Sequence, residues 1–260
     1  MTFSNPPQSA GTALVTGAAR RIGRALALRL AQEGYGLALH SSARSRGDAE
    51  TVAAEIRAAG GRAAVFVADL ADGQAVAALM PQVTAALGAV TVLVNNASLF
   101  AADTAMGLQV AVLDAQMAVN LRAPLQLASA LAAQLPADRQ GVIINMIDQR
   151  VWRLNPQFFS YTLSKAALWT ATRTMAQAFA PRIRVNGIGP GPALANERQQ
   201  AAAFASEAKA VLLQEPVALA AIADAMAYLL HARSVTGQML AVDGGQHLAW
   251  QTPDVLAGGA

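Results

Sequence analysis

The chain contains no cysteine among its 260 residues, so it forms neither a disulfide nor a thiolate nucleophile. Its three histidines, His40, His231 and His247, have no spacing that suits a zinc site. No apolar run reaches the roughly eighteen residues of a membrane-spanning helix, and the polar residues 1–10 lack the pattern of a secretory signal. These absences predict a cytoplasmic protein with no bound metal and no membrane partner.

Lysine is the next scarce residue type, since the chain has two lysines against seventeen arginines and a formal net charge of +3. The arginines are spread along the chain and do not form one basic run with interleaved aromatic residues. This distribution argues against nucleic acid as a partner. A local anionic ligand is the better prediction.

Hydrophobic residues are abundant, at 54% of the chain, which is enough for one sizeable core. Apolar runs alternate with helical patterns, which predicts an α/β fold: a Rossmann-type doubly wound sheet of seven parallel strands in a single domain. We expect this domain at 11–250, a disordered N-terminal tail at 1–10 and a C-terminal tail at 251–260. The predicted strands are 12–16, 35–39, 63–67, 90–94, 142–147, 183–188 and 239–242.

A glycine-containing turn follows the first predicted strand and leads into a helical pattern. Glycine lets the backbone approach a diphosphate, and the free N–H groups at a helix N-terminus favour an anion there. An ordinary βα turn that happens to contain glycine is the alternative. The strand before and the helix after favour a dinucleotide site. The candidate cofactor-binding residues of the turn are Gly17, Arg20, Arg21, Ile22 and Gly23.

The residues after the second predicted strand bear on the choice of dinucleotide. An acidic side chain at this place would accept the ribose 2′-hydroxyl of NAD, but none occurs before Asp48. Hydroxyls and arginine suit the 2′-phosphate of NADP(H) instead, because guanidinium–phosphate contacts are strong. The alternative is a loop of solvated charges. The candidates are His40, Ser41, Ser42 and Arg44.

Two further candidates, Asp69 and Leu70, follow the third predicted strand. The Asp69 carboxylate could bond the adenine amino group, or it could cap the turn that follows. The sequence does not favour either role over the other.

A tyrosine and a lysine at helical spacing form the strongest chemical signal. Tyr161 lies thirteen residues after Asp148, which ends the fifth predicted strand, and Lys165 is four residues further on. Residues four apart share one face of a helix, so the phenol and the ammonium can point into one cleft. The chain has only three tyrosines and two lysines, so this pair is not expected by chance. The alternative is a surface aromatic beside a snorkelling lysine.

Asn120 lies in the middle of a long helix predicted from Gln109 to Leu135. An asparagine inside a helix is unfavourable unless it finds a partner or marks a kink. Asn120 is therefore either an exposed neutral residue or a functional one.

Taken together, the motifs of the chain resemble those of the short-chain dehydrogenase/reductase family over nearly the whole length. The matching segments, in order, are Thr16-Gly17, Gly23, Asn95-Asn96-Ala97, Tyr161 with Lys165, Pro190-Gly191 and Val242-Asp243-Gly244-Gly245. The resemblance implies a catalytic set of Asp148, Tyr161, Lys165 and Asn120, and commonly a homotetramer. It implies additional cofactor contacts from Asn96, Ala97, Ser98, Tyr161, Lys165, Pro190 and Gly191.

Two departures from the common family pattern narrow the resemblance. Arg21 stands where most members have a second glycine, and Asp148 stands where most have the catalytic serine. Both changes resemble the pteridine reductases and the bacterial dihydromonapterin reductases, in which a phenylalanine at the position of Phe100 stacks on the pterin. Asp148 could instead cap a turn, and Phe100 could belong to the core. The implied substrate-binding residues are Arg21, Ser98, Phe100, Asp148 and Tyr161.

The expected function is hydride transfer from NADPH to a C=N bond of a pterin, such as dihydromonapterin, dihydrobiopterin or a dihydrofolate-like substrate. A carbonyl reductase for ketones or quinones is one alternative. A non-catalytic regulatory protein that binds NADPH is another. We expect residues 193–214 to form a helical segment over the substrate, although a plain surface helix would have the same pattern.

Overall fold

The computed structural model describes residues 11–194 and 201–251. The expected tails at 1–10 and 252–260 therefore lie outside the described residues, as do residues 195–200 of the expected substrate cover. The described strands are β1 (Thr12–Val15), β2 (Gly36–Ser41), β3 (Ala63–Val67), β4 (Val90–Asn95), β5 (Gly141–Met146), β6 (Ile183–Pro190) and β7 (Met239–Val242).

All of these strands are parallel and belong to one sheet, in the order β3-β2-β1-β4-β5-β6-β7. The predicted seven-stranded, doubly wound sheet is confirmed, and each strand lies within two residues of its predicted bounds. The strands β1, β2 and β4 are buried along their whole length, as expected for parallel strands covered on both faces.

The helices that cover the sheet are α1 (Arg21–Gln32), α2 (Arg46–Ala58), α3 (Gly73–Leu87), α4 (Val110–Met117), α5 (Ala123–Gln134), α6 (Phe159–Phe179), α7 (Ala201–Lys209) and α8 (Leu219–His231). Short 3₁₀ turns occupy Ala43–Ser45, Gln149–Val151 and Gln246–Leu248. One core packs α1, α2 and α8 against one face of the sheet. The other core packs α3, α5 and α6 against the opposite face.

The helix predicted from Gln109 to Leu135 contains a feature that the periodic pattern did not show. A five-residue π turn, Ala118–Arg122, separates α4 from α5 and carries the fully buried Asn120. Such π turns occur frequently at functional sites. Asn120 has the partners that a buried asparagine in a helix needs, as its contacts below show, and its functional role stays a prediction.

Within the described part of the expected helical segment at 193–214, the structure has one helix, α7, and residues 210–214 are not helical. That this segment covers a substrate stays a prediction. Across the described ranges, no helix is both long enough and apolar enough to cross a membrane. The same ranges hold no group of three or more histidine or acidic side chains arranged to bind a metal ion.

Candidate active site

A cavity of about 520 Å³ opens at the carboxyl ends of the strands, beside the point where the strand order reverses between β1 and β4. Ligands of open α/β sheets bind at this kind of switch point. The lining residues are Gly17, Arg20, Arg21, Ile22, Gly23, His40, Ser42, Ser45, Ala68, Asp69, Leu70, Asn96, Ala97, Ser98, Leu99 and Val119. Twelve of them belong to the cofactor-binding set predicted from the sequence.

The turn after β1 is shaped by backbone contacts that only glycine permits. Gly17 has a positive φ of +64°, and a Cβ atom on Gly23 would lie 2.0 Å from the Gly17 carbonyl oxygen. Thr16 Oγ1 accepts hydrogen bonds from the backbone N–H groups of Asn96 and Ala97, at 2.9 and 3.0 Å. The Asn96 amide donates to the carbonyls of Thr16 and Gly17. The turn is thereby tied to the end of β4.

His40 links this turn to the chain after β3 through two hydrogen bonds. Its Nδ1 accepts a hydrogen bond from Gly17 N–H at 3.2 Å, and its Nε2 lies 3.1 Å from the Ala68 carbonyl oxygen. Only the neutral ring with its proton on Nε2 satisfies both contacts. Burial lowers the pKa of His40, although the bond to Ala68 opposes the shift. His40 lines the cavity, but both of its ring nitrogens are used in hydrogen bonds within the protein.

The loop after β2 contributes hydroxyl groups to the cavity lining. The hydroxyls of Ser42 and Ser45 lie 3.1 Å apart in the lining, and Arg20 forms an exposed ion pair with Asp48. The structure places Ser41 inside β2, where it is buried, and Arg44 on the exposed surface outside the lining. Ser45 was missed in the sequence, although it follows the predicted serine and arginine within the same loop.

Asp69 turns out to cap a turn while also lining the cavity. Its Oδ1 accepts a hydrogen bond from Ala71 N–H at 2.9 Å. Leu70 beside it is buried and contributes an apolar surface to the lining. The capping role that the sequence left open is therefore present in the structure.

Arg21 occupies a backbone conformation that explains why glycine is usual at its position. Its φ is +52°, in the left-handed region, which costs a non-glycine residue about 1–2 kcal/mol. Its guanidinium donates a hydrogen bond to the carbonyl oxygen of Leu194 at 2.9 Å. The arginine thus connects the cofactor side of the cleft to the chain that follows β6.

The predicted tyrosine, lysine and aspartate come together outside the lining of this cavity. The Tyr161 hydroxyl lies 2.9 Å from Asp148 Oδ2, and Lys165 Nζ donates to the Met146 carbonyl at 2.7 Å. Tyr161 and Lys165 are 6% and 2% exposed, so the alternative of a surface pair is wrong. Asp148 also accepts from Arg150 N–H at 2.8 Å, and thus combines a turn cap with a contact to the tyrosine.

Burial dominates the electrostatics of these three groups. Burial, together with the Asp148 carboxylate, raises the pKa of Tyr161 well above its usual range. Burial raises the pKa of Asp148, against the opposing effects of Arg150 and Tyr161. Burial lowers the pKa of Lys165 to about 8, while Asp148 opposes that change. The tyrosine is therefore protonated at neutral pH, and Asp148 can hold a proton more readily than an exposed carboxyl can.

Asn120 uses its whole side-chain amide to hold the segment after β4. Its Oδ1 accepts from Leu99 N–H at 2.8 Å and from the Ser98 hydroxyl at 3.2 Å. Its Nδ2 donates to the Leu99 carbonyl at 2.9 Å and to Ser164 Oγ at 3.0 Å. Asn120 thus joins the π turn, the Ser98 segment and the helix that carries Tyr161.

Phe100 is not a core residue, since its side chain is 40% exposed. Its ring stacks on Phe158, with centroids 4.2 Å apart, and meets the Tyr161 ring edge to face at 4.6 Å. The guanidinium of Arg150 lies 5.1 Å from the Phe158 ring centroid on the same stack. Phe158 and Arg150 were missed in the sequence analysis, although both lie between the predicted Asp148 and Tyr161.

Pro190 and Gly191 lie at the carboxyl end of β6, outside the cavity lining. Gly191 N–H donates to the Val242 carbonyl at 3.0 Å, and a Cβ on Gly191 would lie 2.6 Å from Asp243 Cα. Glycine is required here by the close approach of the chain after β7. The structure therefore gives Gly191 a packing role at the same edge of the sheet as the cavity.

Known proteins are similar to this chain in sequence and in fold over nearly its whole length. A family model for short chain dehydrogenases matches residues 11–205. The crystal structure of FolM alternative dihydrofolate reductase 1 from Brucella canis, complexed with NADP, is 49% identical, with a TM-score of 0.92 over 95% of this chain and 98% of that one. A short chain dehydrogenase from Burkholderia cenocepacia in complex with NADP is 33% identical, with a TM-score of 0.85 over 93% of this chain and 99% of that one.

A third relative, the 3-oxoacyl-(acyl-carrier-protein) reductase FabG of Staphylococcus epidermidis, is 33% identical over 245 residues, covering 91% of this chain and 99% of FabG. The family model, the relatives and the order of the site residues all agree with the resemblance noted in the sequence. The chain belongs to the short-chain dehydrogenase/reductase family of oxidoreductases.

Proposed function

We propose that this protein reduces a C=N bond of a dihydropterin with NADPH. The observation that carries the proposal is the contact between Asp148 and the Tyr161 hydroxyl, directly beside the exposed ring of Phe100. The 49% identity to the FolM structure supports the same substrate class. A dihydropterin is a flat, polar ring system, so it suits an aromatic surface next to a proton-donating pair.

The residues present fit NADP(H) as the cofactor. The turn from Gly17 to Gly23 packs so closely that Gly23 has no room for a Cβ atom, and it leads into the N-terminus of α1, where free N–H groups suit a diphosphate. Ser42, Ser45 and Arg20 line the cavity after β2, where hydroxyls and a guanidinium suit a 2′-phosphate. The first acidic residue after β2 is Asp48, and its carboxylate forms an ion pair with Arg20.

The chain supplies the proton and the geometry of the reaction. NADPH bound in the cavity would supply the hydride to the carbon of the C=N bond. Tyr161, whose raised pKa keeps it protonated, gives a proton to the adjacent nitrogen. The Asp148 carboxyl lies 2.9 Å from that hydroxyl and can return a proton to it, because burial raises its own pKa.

Lys165 and Arg21 set the charge on the two sides of the reacting centre. The buried ammonium of Lys165 is fixed under the Met146 carbonyl and lies 5.7 Å from the Tyr161 ring centroid. Its positive charge favours the phenolate that remains after proton transfer. Arg21, at the mouth of the cavity, offers donors to the polar edge of a pterin, which a simple ketone does not need.

A carbonyl reductase is the second candidate, and the similarity to FabG favours it. In that reaction the same tyrosine would protonate a carbonyl oxygen, and Asp148 would only polarise the carbonyl. The two candidates differ in what they require from Phe100 and Arg21. A ketone needs neither a stacking surface nor several hydrogen-bond donors.

The deciding experiment measures NADPH oxidation with dihydromonapterin, dihydrobiopterin, dihydrofolate and a panel of small ketones. We expect turnover on a dihydropterin, and Tyr161→Phe should reduce it by about 100-fold to 10,000-fold while leaving NADPH affinity within about twofold. Turnover on ketones alone would establish the second candidate. Binding of NADPH with no turnover on any substrate would establish the regulatory alternative.

A substitution at Phe100 tests the stacking surface separately. Phe100→Ala should raise the KM for the dihydropterin by about tenfold, since a stacked ring is worth about 1–3 kcal/mol, with little effect on NADPH affinity. Phe100→Leu is the matched control because it keeps apolar bulk without an aromatic face. Equal losses of pterin and NADPH affinity would contradict the stacking assignment.

A further inference from the structure

The segment that carries Phe100 is attached to the helices at every second residue. Leu99 exchanges two backbone hydrogen bonds with the Asn120 side chain, at 2.8 and 2.9 Å. Ala101 is paired in the same way with the fully buried Gln116, at 3.4 Å in both directions. Phe100 lies between these two anchors. The third anchor in the series is Asp103.

Asp103 makes three contacts with the first turn of α6. Its Oδ1 accepts from Ser160 N–H at 3.0 Å, and its Oδ2 accepts from the Ser160 hydroxyl. Its backbone carbonyl accepts from Phe159 N–H at 3.3 Å. Asp103 is only 8% exposed, so the carboxylate is held inside the protein. Each of these contacts joins residues more than fifty positions apart in the chain.

The start of α6 depends on this carboxylate because the helix has no capping side chain of its own. Its N-cap residue, Phe158, is in the left-handed conformation with φ of +54° and has no side-chain acceptor. The first N–H groups of a helix need acceptors, and a negative charge at this end is favourable. Asp103 supplies both from another part of the chain.

The position of the Tyr161 phenol follows from this arrangement. Tyr161 immediately follows Ser160 in the first turn of α6, and its ring contacts Phe100. The same carboxylate therefore ties the segment that carries Phe100 to the helix that carries Tyr161. We propose that Asp103 is a positioning residue that holds Tyr161 and Phe100 in their reactive arrangement. This inference rests on the proposed role of Tyr161 as the proton donor.

Four variants of the full-length protein test this proposal. Asp103→Ala removes the carboxylate, Asp103→Asn keeps an oxygen that can accept from Ser160 N–H, and Ser160→Ala removes only the hydroxyl contact. Asp72→Ala is the matched control, because Asp72 caps α3 in an ordinary way by accepting from Gln74 N–H at 2.8 Å. We measure kcat and KM on the substrate that the wild type reduces best, NADPH affinity, thermal stability and amide hydrogen exchange at Ser160.

The expected result is a loss in kcat of about tenfold to 100-fold for Asp103→Ala with NADPH affinity unchanged, since a small misplacement of a proton donor is costly. Asp103→Asn should recover kcat to within about threefold of the wild type, because the amide oxygen restores the cap. Ser160→Ala should fall between them. Asp72→Ala should lose thermal stability but no kcat.

Wild-type kcat in Asp103→Ala would overturn the proposal, and so would equal damage in Asp103→Asn and Asp103→Ala. An equal loss of kcat in Asp72→Ala would reduce the effect to general destabilisation. Hydrogen exchange at Ser160 does not depend on turnover. Faster exchange in Asp103→Ala than in Asp103→Asn supports the cap even if the wild type reduces no pterin, whereas unchanged exchange refutes it.

Discussion

The two halves of the cleft are constructed differently. On the cofactor side, the chain approaches itself so closely that glycine is required, and most contacts join backbone groups to Thr16, His40 or Asn96. On the substrate side, side chains contact one another: Tyr161 with Asp148, and Phe100 with Phe158. Backbone packed this closely tolerates no added atoms. Side chains that contact one another can be replaced one at a time, and such replacements can change which substrate is preferred. Substitutions should therefore abolish binding on the first side and redirect chemistry on the second.

The largest effect is expected from Gly23→Ala. The new methyl group would meet the Gly17 carbonyl oxygen at 2.0 Å and the Asn96 amide nitrogen at 2.6 Å, so the turn must move. We expect NADPH affinity to fall by at least about 100-fold, as measured by titration of cofactor fluorescence. Gly47→Ala in α2 is the control, because its Cβ would meet no atom within 4 Å. Equal losses in both variants would remove the steric argument for the cofactor side.

The next effect is expected from Asp148→Ser, which restores the residue type found in most of the family. Turnover of the dihydropterin should fall by about tenfold to 100-fold, since the carboxyl can no longer return a proton to Tyr161. Reduction of small ketones should stay within about threefold. Asp148→Asn keeps the shape and removes the titration, and should behave like the serine variant. Unchanged pterin turnover would exclude Asp148 from the mechanism.

A smaller effect is expected from pH, through Lys165. Its pKa is lowered to about 8 by burial, so its charge disappears as the pH rises through that value. Values of kcat/KM for NADPH report the free enzyme, and we expect them to fall about tenfold between about pH 7 and pH 9. The Lys165→Arg variant keeps its positive charge over this range. Its kcat/KM should therefore not show this fall with pH, whatever its absolute rate.

The contribution of Lys165 to stability should change in the opposite direction above about pH 8. The folded pKa of Lys165 lies below the ordinary value of 10.5, so the unfolded chain binds the proton more tightly between about pH 8 and pH 10.5. The contribution of Lys165 to the free energy of unfolding therefore rises with pH in this window. A fall in kcat/KM that accompanies a fall in melting temperature would point to unfolding instead.

The smallest effect is expected from Arg21→Lys, at the boundary between the two sides. Both residues meet the same left-handed backbone strain, so thermal stability should change little. A lysine lacks the planar fork that reaches Leu194 and a pterin edge together, so the KM for the dihydropterin should rise about threefold to tenfold. An equal rise in the KM for ketones would show that Arg21 makes no contact specific to the pterin.

The sequence predicted the cofactor side more completely than the substrate side. The turn from Gly17 to Gly23 was predicted from glycine spacing after a buried strand, and the segment Asn96 to Ser98 from the family resemblance. All of their predicted residues line the cavity. The role of His40 was not visible, because its hydrogen bond to Gly17 depends on the path of the backbone. For Asp69 the sequence offered two roles and could not choose the cap over the other. Ser41 and Arg44 were predicted from residue type alone, and the structure places both outside the lining.

On the substrate side, the helical spacing of Tyr161 and Lys165 and the position of Asp148 were readable from the chain. Asp103, Arg150 and Phe158 were not, because their partners are set by the crossing of loops after β4 and β5. The sequence indicated that Asn120 needs a partner or a kink. The π turn itself has no signature in the hydrophobic pattern of the helix.

By itself, the sequence determined the parallel sheet and the glycine turn, because hydrophobic periodicity and short-range spacing act along the chain. The candidate reacting groups were implied by the family resemblance, and their roles stay predictions. The tertiary structure alone decided which groups meet: Asp148 with Tyr161, Phe100 with Phe158, and Asp103 with Ser160. The physical reason is burial, since desolvation sets the proton affinities of Tyr161 and Lys165 and makes an outside cap for α6 necessary.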